Sequence, residues 1–316
     1  MPVSLAAIED ARRRIAGSAI RTPLVRLNSL GASAEIFLKL ECLQPIGAFK
    51  IRGAANAVAH IPKDQLQRGV LTASAGNMAR GVAWLARELG IPCTVVAPQT
   101  APANKLQAIE RLGGRAIKVP FERWWQTFQD RAYPGVDATF IHAFDDPHVM
   151  AGNGTIGLEI LEDLPDVDAV VIPWGGGGLT CGIAAAMRAR KPSCRIYSVE
   201  VATAAPLAAS MAAGSVQVVD YHPSFVDGIG SKTVFPQMFD RARQMIDGAL
   251  VANLADVAAA LRLLAERDCI IAEGAGACPV ACALAGKANS GKIVCVVSGG
   301  NIDMQQLCKI LSERVD

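Results

Sequence analysis

The sequence predicts an α/β protein of two lobes, with open, mostly parallel sheets covered by helices. Three observations lead there. Short apolar runs of strand length alternate with Ala-rich segments of helical period, the pattern of parallel strands buried on both faces. Three strand-to-helix junctions carry glycines and polar residues. The chain has 316 residues, 51% of them hydrophobic, which is more than one minimal core needs and suits one large domain or two moderate ones.

Taken in order, the helix-like AANAVAHI follows shortly after Lys50. Gly69-Val70-Leu71-Thr72-Ala73 reads as a strand leading through Ser74-Ala75-Gly76-Asn77 into the helix-like MARGVAWLARELG, where Gly90 is a natural stop before the strand IPCTVVAP. Trp124 to Pro147 is the least regular stretch and the expected place for the chain to cross between lobes. These bounds give a large lobe of residues 1–66 and 145–316 and a small lobe of 67–144. Asp168 to Pro173 is a strand leading through Gly175-Gly176-Gly177-Gly178 into LTCGIAAAMRAR, and CRIYSVE is another strand. Lys292 to Val297 leads through Ser298-Gly299-Gly300-Asn301 into a final helix. Ligands of open α/β sheets gather at the carboxyl ends of strands, so the three polar junctions are expected to share one site.

Lys plus Arg total 31 against 29 for Asp plus Glu, so no general field exists to hold a polyanion, and nucleic acid is not an expected partner. A small molecule is. The N-terminus lacks the apolar core of a signal peptide, and the longest apolar runs are strand-length, which points to a cytoplasmic protein without a membrane span. Nine cysteines without a C-x-x-C pair fit reduced thiols. The four histidines show no zinc spacing, so no metal is expected.

The four glycines at 175–178 stand where bare backbone N–H groups and a helix dipole can hold a phosphate. No Lys-Ser or Lys-Thr follows as in a P-loop, and Thr180 breaks the G-x-G-x-x-G register, so a monophosphate fits better than a dinucleotide. A structural tight turn is the alternative. In G-A-F-K-I-R-G-A, Lys50 lies beside an aromatic residue, where burial would free its amine for a Schiff base. Taken alone, a solvated surface lysine is the commoner case.

K-L-E-C-L-Q-P-I-G-A-F-K-I-R-G-A, S-A-G-N-M-A-R-G, A-G-N-G-T-I-G-L-E, G-G-G-G-L and S-G-G-N-I-D occur in that order. This resembles the fold type II pyridoxal-phosphate enzymes of the threonine/serine dehydratase and serine racemase group, from about Arg21 to the last helix. The resemblance implies pyridoxal 5'-phosphate as cofactor, bound covalently to Lys50, with Phe49 near its ring. It implies that Gly175, Gly176, Gly177, Gly178 and Leu179 hold the phosphate. Asn77 would meet the 3-oxygen, Ser298 the pyridine nitrogen, and Gly228 and Glu273 would line the ring. Ser74, Ala75, Gly76, Asn77 and Met78 would receive the substrate carboxylate, the alternative for this loop being an ordinary helix cap. A serine at the ring nitrogen withdraws electrons less than a carboxylate partner, which suits β-elimination.

The implied reaction is dehydration and deamination of a 3-hydroxy amino acid: threonine, serine or phenylserine. Alternatives are a racemase or β-replacement synthase on the same fold, or a non-catalytic binding protein. Ala75 stands where racemases of the group carry a serine base, and alanine exchanges no proton. Pro206 stands six positions after Glu200, where metal-binding relatives have an acidic residue, so a divalent-cation site is not expected. Nor is the regulatory domain of biosynthetic threonine dehydratases, and a homodimer is expected by analogy. Met78 replaces a usual histidine and Asn153 a usual glutamine. Trp124 and Trp125 either form a wall for a bulky substrate such as phenylserine or pack between the lobes.

Overall fold

The structure, a computed structural model, describes residues 3–29, 34–289 and 291–312. After α1 (Leu5–Arg14) come β1 (Leu24–Arg26), β2 (Glu35–Lys39), α2 (Lys50–Val58) and α3 (Lys63–Leu66). Then follow β3 (Val70–Ala73), α4 (Asn77–Leu89), β4 (Cys93–Pro98), α5 (Ala103–Arg111), β5 (Arg115–Val119), α6 (Phe121–Asp130) and β6 (Thr139–Phe140). The chain continues with α7 (Pro147–Asp163), β7 (Ala169–Pro173), α8 (Gly178–Arg190), β8 (Arg195–Val201), α9 (Pro206–Ala213) and α10 (Pro236–Ala242). It closes with β9 (Gly248–Ala252), α11 (Leu254–Arg267), α12 (Gly274–Leu284), β10 (Lys292–Val296) and α13 (Met304–Ser312).

Two sheets result, one of six strands in the order β1-β2-β10-β7-β8-β9 and one of four in the order β5-β4-β3-β6. All neighbours run parallel except β1 and β2, the α/β arrangement expected. β7 is buried at every position, because helices cover both faces of its sheet, and such strands read as unbroken apolar runs. Local chemistry sets the helix ends. Asp146 caps α7 by accepting from His148 N at 2.7 Å ahead of Pro147 in the first turn. Gly90 ends α4 in the left-handed conformation, φ 66°.

Two sequence expectations need correcting. Residues 124–130 are helical, because Phe121, Trp124, Trp125 and Phe128 fall at i, i+3, i+4 and i+7 and give α6 one aromatic face. The chain therefore leaves the four-stranded sheet only after Phe140, and the crossing to the six-stranded sheet is confined to residues 141–146. The helix after Lys50 also starts earlier than expected, with Lys50 itself as its first residue.

Close helix crossings hold the lysine helix. A methyl group built on Gly152 of α7 would stand 2.3 Å from the Arg52 carbonyl oxygen of α2, and one on Gly182 of α8 would stand 2.3 Å from the Met150 carbonyl oxygen of α7. Glycine at these positions lets three helix backbones touch, and that contact fixes where α2 begins.

Candidate active site

The three polar junctions come together, the glycine run through Gly175, whose added methyl would stand 3.6 Å from the carbonyl oxygen of Gly228, the neighbour of Glu273 and so of Asn77. Phe49 N donates to the Ser298 carbonyl at 2.9 Å and Gly300 N to the Gly47 carbonyl at 2.9 Å, so the lysine loop and the S-G-G-N turn are stitched together. Asn301 Nδ2 donates to Asn77 Oδ1 at 2.8 Å and to the Ile46 carbonyl at 2.9 Å, and Arg80 donates to Asn301 Oδ1. The start of α4 is thereby joined to the same turn.

Lys50 Nζ donates to the Ala143 carbonyl at 2.7 Å and lies 5.0 Å from the centre of the Phe49 ring. Burial pushes its amine down to about 8, while the charge of Glu273 works the other way. A lysine in that state is available as a nucleophile and base near neutral pH.

Glu273, at the N-cap of α12, accepts from Asn77 Nδ2 at 2.9 and 3.2 Å. Burial holds its carboxyl above the usual range, against the lowering effect of the Asn77 bond. Its Oε1 would lie 3.2 Å from a methyl group on Gly228 and 2.6 Å from one on Gly299. Gly228 and Gly299 thus keep open the space beside this carboxyl.

The glycine run forms the N-terminal entry of α8, with Gly177 at φ 88° as N-cap and no side-chain cap. Its first-turn N–H groups are therefore free of side-chain acceptors, which suits a phosphate. A methyl group on Gly176 would stand 2.1 Å from Phe144 Cδ1, and one on Gly177 would stand 2.4 Å from the Trp174 ring, so side chains are excluded there by contact as well as conformation. Leu179 is buried in the core and offers only its N–H.

Ser298 is 2% exposed, and its carbonyl accepts from Phe49 N of the lysine loop. A serine hydroxyl at this point, a glycine turn bare of side chains, and a desolvated lysine fit the aromatic nitrogen, phosphate and aldehyde of pyridoxal phosphate. In the loop 74–77, Ser74 Oγ accepts from Gly76 N at 3.2 Å, and Gly76 caps α4 without a side-chain bond. Ser74, Ala75, Gly76 and Asn77 are half-buried. Met78 differs: its side chain, 2% exposed, packs in the core with residues of α2 and α4. The Met78 side chain, expected with the substrate loop, is thus in the core instead, because the helical turn points it inward.

The tryptophans are packing residues. Trp124 lies against Leu71 and Val96, and Trp125 is stacked on Phe128 at 5.7 Å and tilted against Phe235 at 5.7 Å. Two rings touch the glycine turn, Phe144 and Trp174; sequence reasoning missed both, as it missed the roles of Asn301 and the Ala143 carbonyl. Asn153 is fully buried with both amide atoms unpartnered among the described residues, and we find no structural reason for it. Glu200 accepts from Leu207 N at 2.9 Å and Ala208 N at 2.8 Å, so its carboxylate caps α9. Among the described residues, no group of three His, Cys, Asp or Glu side chains comes together to hold a metal ion.

His142 holds the crossing segment. Its Nδ1 accepts from Phe144 N at 3.2 Å and Asp145 N at 2.7 Å, which places the proton on Nε2. Burial pushes its pKa down to about 4, assisted by Arg131. The folded value lies below the unfolded one, so stability is intact above about pH 6.5 and falls as pH drops towards 4, by on the order of 3 kcal/mol. Melting temperatures measured across that window should decline more gently in His142→Asn, which keeps an acceptor but has no proton to gain; parallel declines would remove His142 from the acid response.

A family model described as pyridoxal-phosphate dependent enzyme matches residues 15–299. The chain is similar to the L-threonine ammonia-lyase of Thermotoga maritima, 39% identical over 316 residues, covering 98% of this chain and 79% of that protein. Among solved structures it is similar to maize serine racemase, with TM-score 0.89, 33% identity and coverage of 98% and 97% of the two chains. A processed form of threonine deaminase isoform 2 from Solanum lycopersicum matches with TM-score 0.84 and 30% identity, over 98% of this chain and 89% of that one.

Proposed function

The chain belongs to the pyridoxal-phosphate dependent enzymes, and from that premise we propose that it is an ammonia-lyase removing water and then ammonia from a short 3-hydroxy amino acid, threonine or serine. The observation that carries the reading is that the segments bearing Lys50, Asn77, Glu273, Ser298 and the glycine turn are bonded and packed together. On the loop beside it, Ala75 occupies the position of the second base of racemases. The L-threonine ammonia-lyase relative supports the substrate class.

Pyridoxal phosphate supplies an aldehyde for the substrate amine and an electron-withdrawing ring next to the α-carbon. The first-turn N–H groups of α8 would hold the phosphate, the Ser298 hydroxyl would meet the ring nitrogen, and Asn77, oriented by Glu273 and Asn301, would meet the 3-oxygen. The loop 74–77 orients the substrate carboxylate with its N–H groups and the Ser74 and Asn77 side chains. Lys50 Nζ, tethered on a buried helix, would take the α-proton, and the β-hydroxyl, given a proton by a bound water, would leave as water. The product then loses its nitrogen to water and departs as a 2-oxo acid and ammonia.

Phenylserine is the poorer substrate in this reading, since both tryptophans are already engaged in packing. Residues 67–144 act as the smaller lobe that closes on substrate, and the enzyme works as a cytoplasmic homodimer. No helix among the described residues is long and apolar enough to cross a membrane.

The test is 2-oxo acid release from L-threonine, L-serine and both phenylserine diastereomers, with the visible spectrum recorded beforehand. A yellow protein with kcat/KM highest for threonine or serine is the expected result. Inverted amino acid without 2-oxo acid would replace the reading by a racemase, and a phenylserine preference would overturn the substrate assignment.

A further inference from the structure

Arg52 stands two residues after Lys50 in the first turn of α2, with 1% of its surface exposed. Its guanidinium grips two carboxylates at once. Nε and Nη2 donate to the two oxygens of Glu41 at 2.8 Å each, and Nη1 and Nη2 to those of Glu159 at 2.6 and 2.8 Å. Thr155 Oγ1 at 3.0 Å and the Ile20 carbonyl at 3.1 Å complete the set. Such paired forks fix a plane and a direction, which a single ammonium contact does not.

The partners come from three places. Glu41 opens a short turn, Glu41–Leu43, that follows β2. Glu159 lies on α7. Lys39, at the end of β2, donates to Glu159 at 2.6 Å and to the Thr22 carbonyl at 2.6 Å, while Thr22 Oγ1 donates to Glu41 at 2.6 Å. Two cations and two anions are thus sealed together, and their charges cancel. The first turn of α2 has no side-chain cap of its own, Phe49 making none. Its frame is set by this cluster and by the contact with Gly152.

We propose that Arg52 is the positioning residue of Lys50: its double fork fixes the first turn of α2, so that Lys50 Nζ leaves from and returns to one place, and it cancels there the field of two buried carboxylates. The proposal rests on Lys50 being the cofactor lysine. A reaction in which one amine is carrier and then base needs its Cα held while the side chain rotates. The amine must also stay free of stray negative charge, which would keep it protonated. The charged groups that act on the Lys50 amine are Glu273 at the start of α12 and His142 in the crossing segment; the quartet Lys39, Glu41, Arg52 and Glu159, with Asp163 at its rim, 4.0 Å from Lys39, meets the helix two residues further on, at Arg52.

Two variants separate fork from charge. Arg52→Lys keeps the cation and loses the fork. Glu159→Gln keeps the shape and leaves the cluster one positive charge in excess. The pH midpoint of Lys50 carbamylation by cyanate, read on the apoprotein by peptide mass spectrometry, reports the amine directly. In Arg52→Lys, kcat should fall about 100-fold with little change in KM, while the midpoint stays at its wild-type value. In Glu159→Gln the midpoint should move down by about one pH unit. Folded Arg52→Lys with kcat within about twofold of wild type, or an unmoved midpoint in Glu159→Gln, would overturn the proposal. Borohydride reduction of the holoenzyme and peptide mapping keep the outcomes distinct: cofactor found on another lysine refutes the assignment of Lys50 instead.

Discussion

Replacing Lys50 by alanine should leave a folded protein that shows no visible absorbance from a bound Schiff base and turns over at least about 10³-fold more slowly. In the proposed function the side chain does two jobs, covalent attachment and proton removal, and two other buried or half-buried lysines among the described residues are engaged elsewhere. Lys39 is locked on Glu159 and Lys105 on Asp227. The fold should survive because the lysine makes one side-chain hydrogen bond, to the Ala143 carbonyl. Circular dichroism, the visible spectrum and single-turnover 2-oxo acid release check the three statements separately. Turnover near the wild-type rate would mean that another group carries the chemistry.

The second large effect is expected at a residue that touches no reactant. Gly152→Ala puts a methyl group 2.3 Å from the Arg52 carbonyl oxygen, a backbone atom at a buried helix crossing. Neither side is a flexible chain end, so α2 and α7 must separate. Overpacking of this kind costs typically about 1–3 kcal/mol, and we place this case at about 3 kcal/mol, a fall in melting temperature of roughly 4–5 °C for a chain of 316 residues. The separation also moves the start of α2, so kcat should drop beyond what the stability loss explains when measured well below the melting temperature. A variant with unchanged melting temperature would show that the helices have slack there.

Much of this site is readable in the chain because its parts are runs of neighbours. The glycines 175–178, the loop 74–77 and the turn 298–301 each stand at the end of a strand, and the carboxyl ends of parallel strands meet in space. What escaped has a common character. The Ala143 carbonyl is backbone and has no letter of its own. Asn301 works through Asn77 and Arg80, more than two hundred positions away. Arg52 was visible inside a motif, yet its two carboxylate partners were not, since only the fold brings Glu41 and Glu159 to one guanidinium. The aromatic spacing of α6 was in plain sight, and weighing the tryptophans as a pair rather than with Phe121 and Phe128 hid the helix.

The strand order carries a consequence for the birth of the protein. β10, near the end of the chain, lies between β2 and β7, its Val294 opposite Phe37 on one side and Val170 on the other. During synthesis β2 leaves the ribosome early and waits for a neighbour that is made almost last. The four-stranded sheet, drawn from one continuous stretch, has no such wait. Its contacts are local, whereas the six-stranded sheet pays the loop-closure entropy of nearly the whole chain. The nascent enzyme therefore carries an assembled half and an open-edged half until β10 arrives, and the arrival that seals the sheet also delivers Ser298. Catalytic competence and completion of the main fold come in a single step.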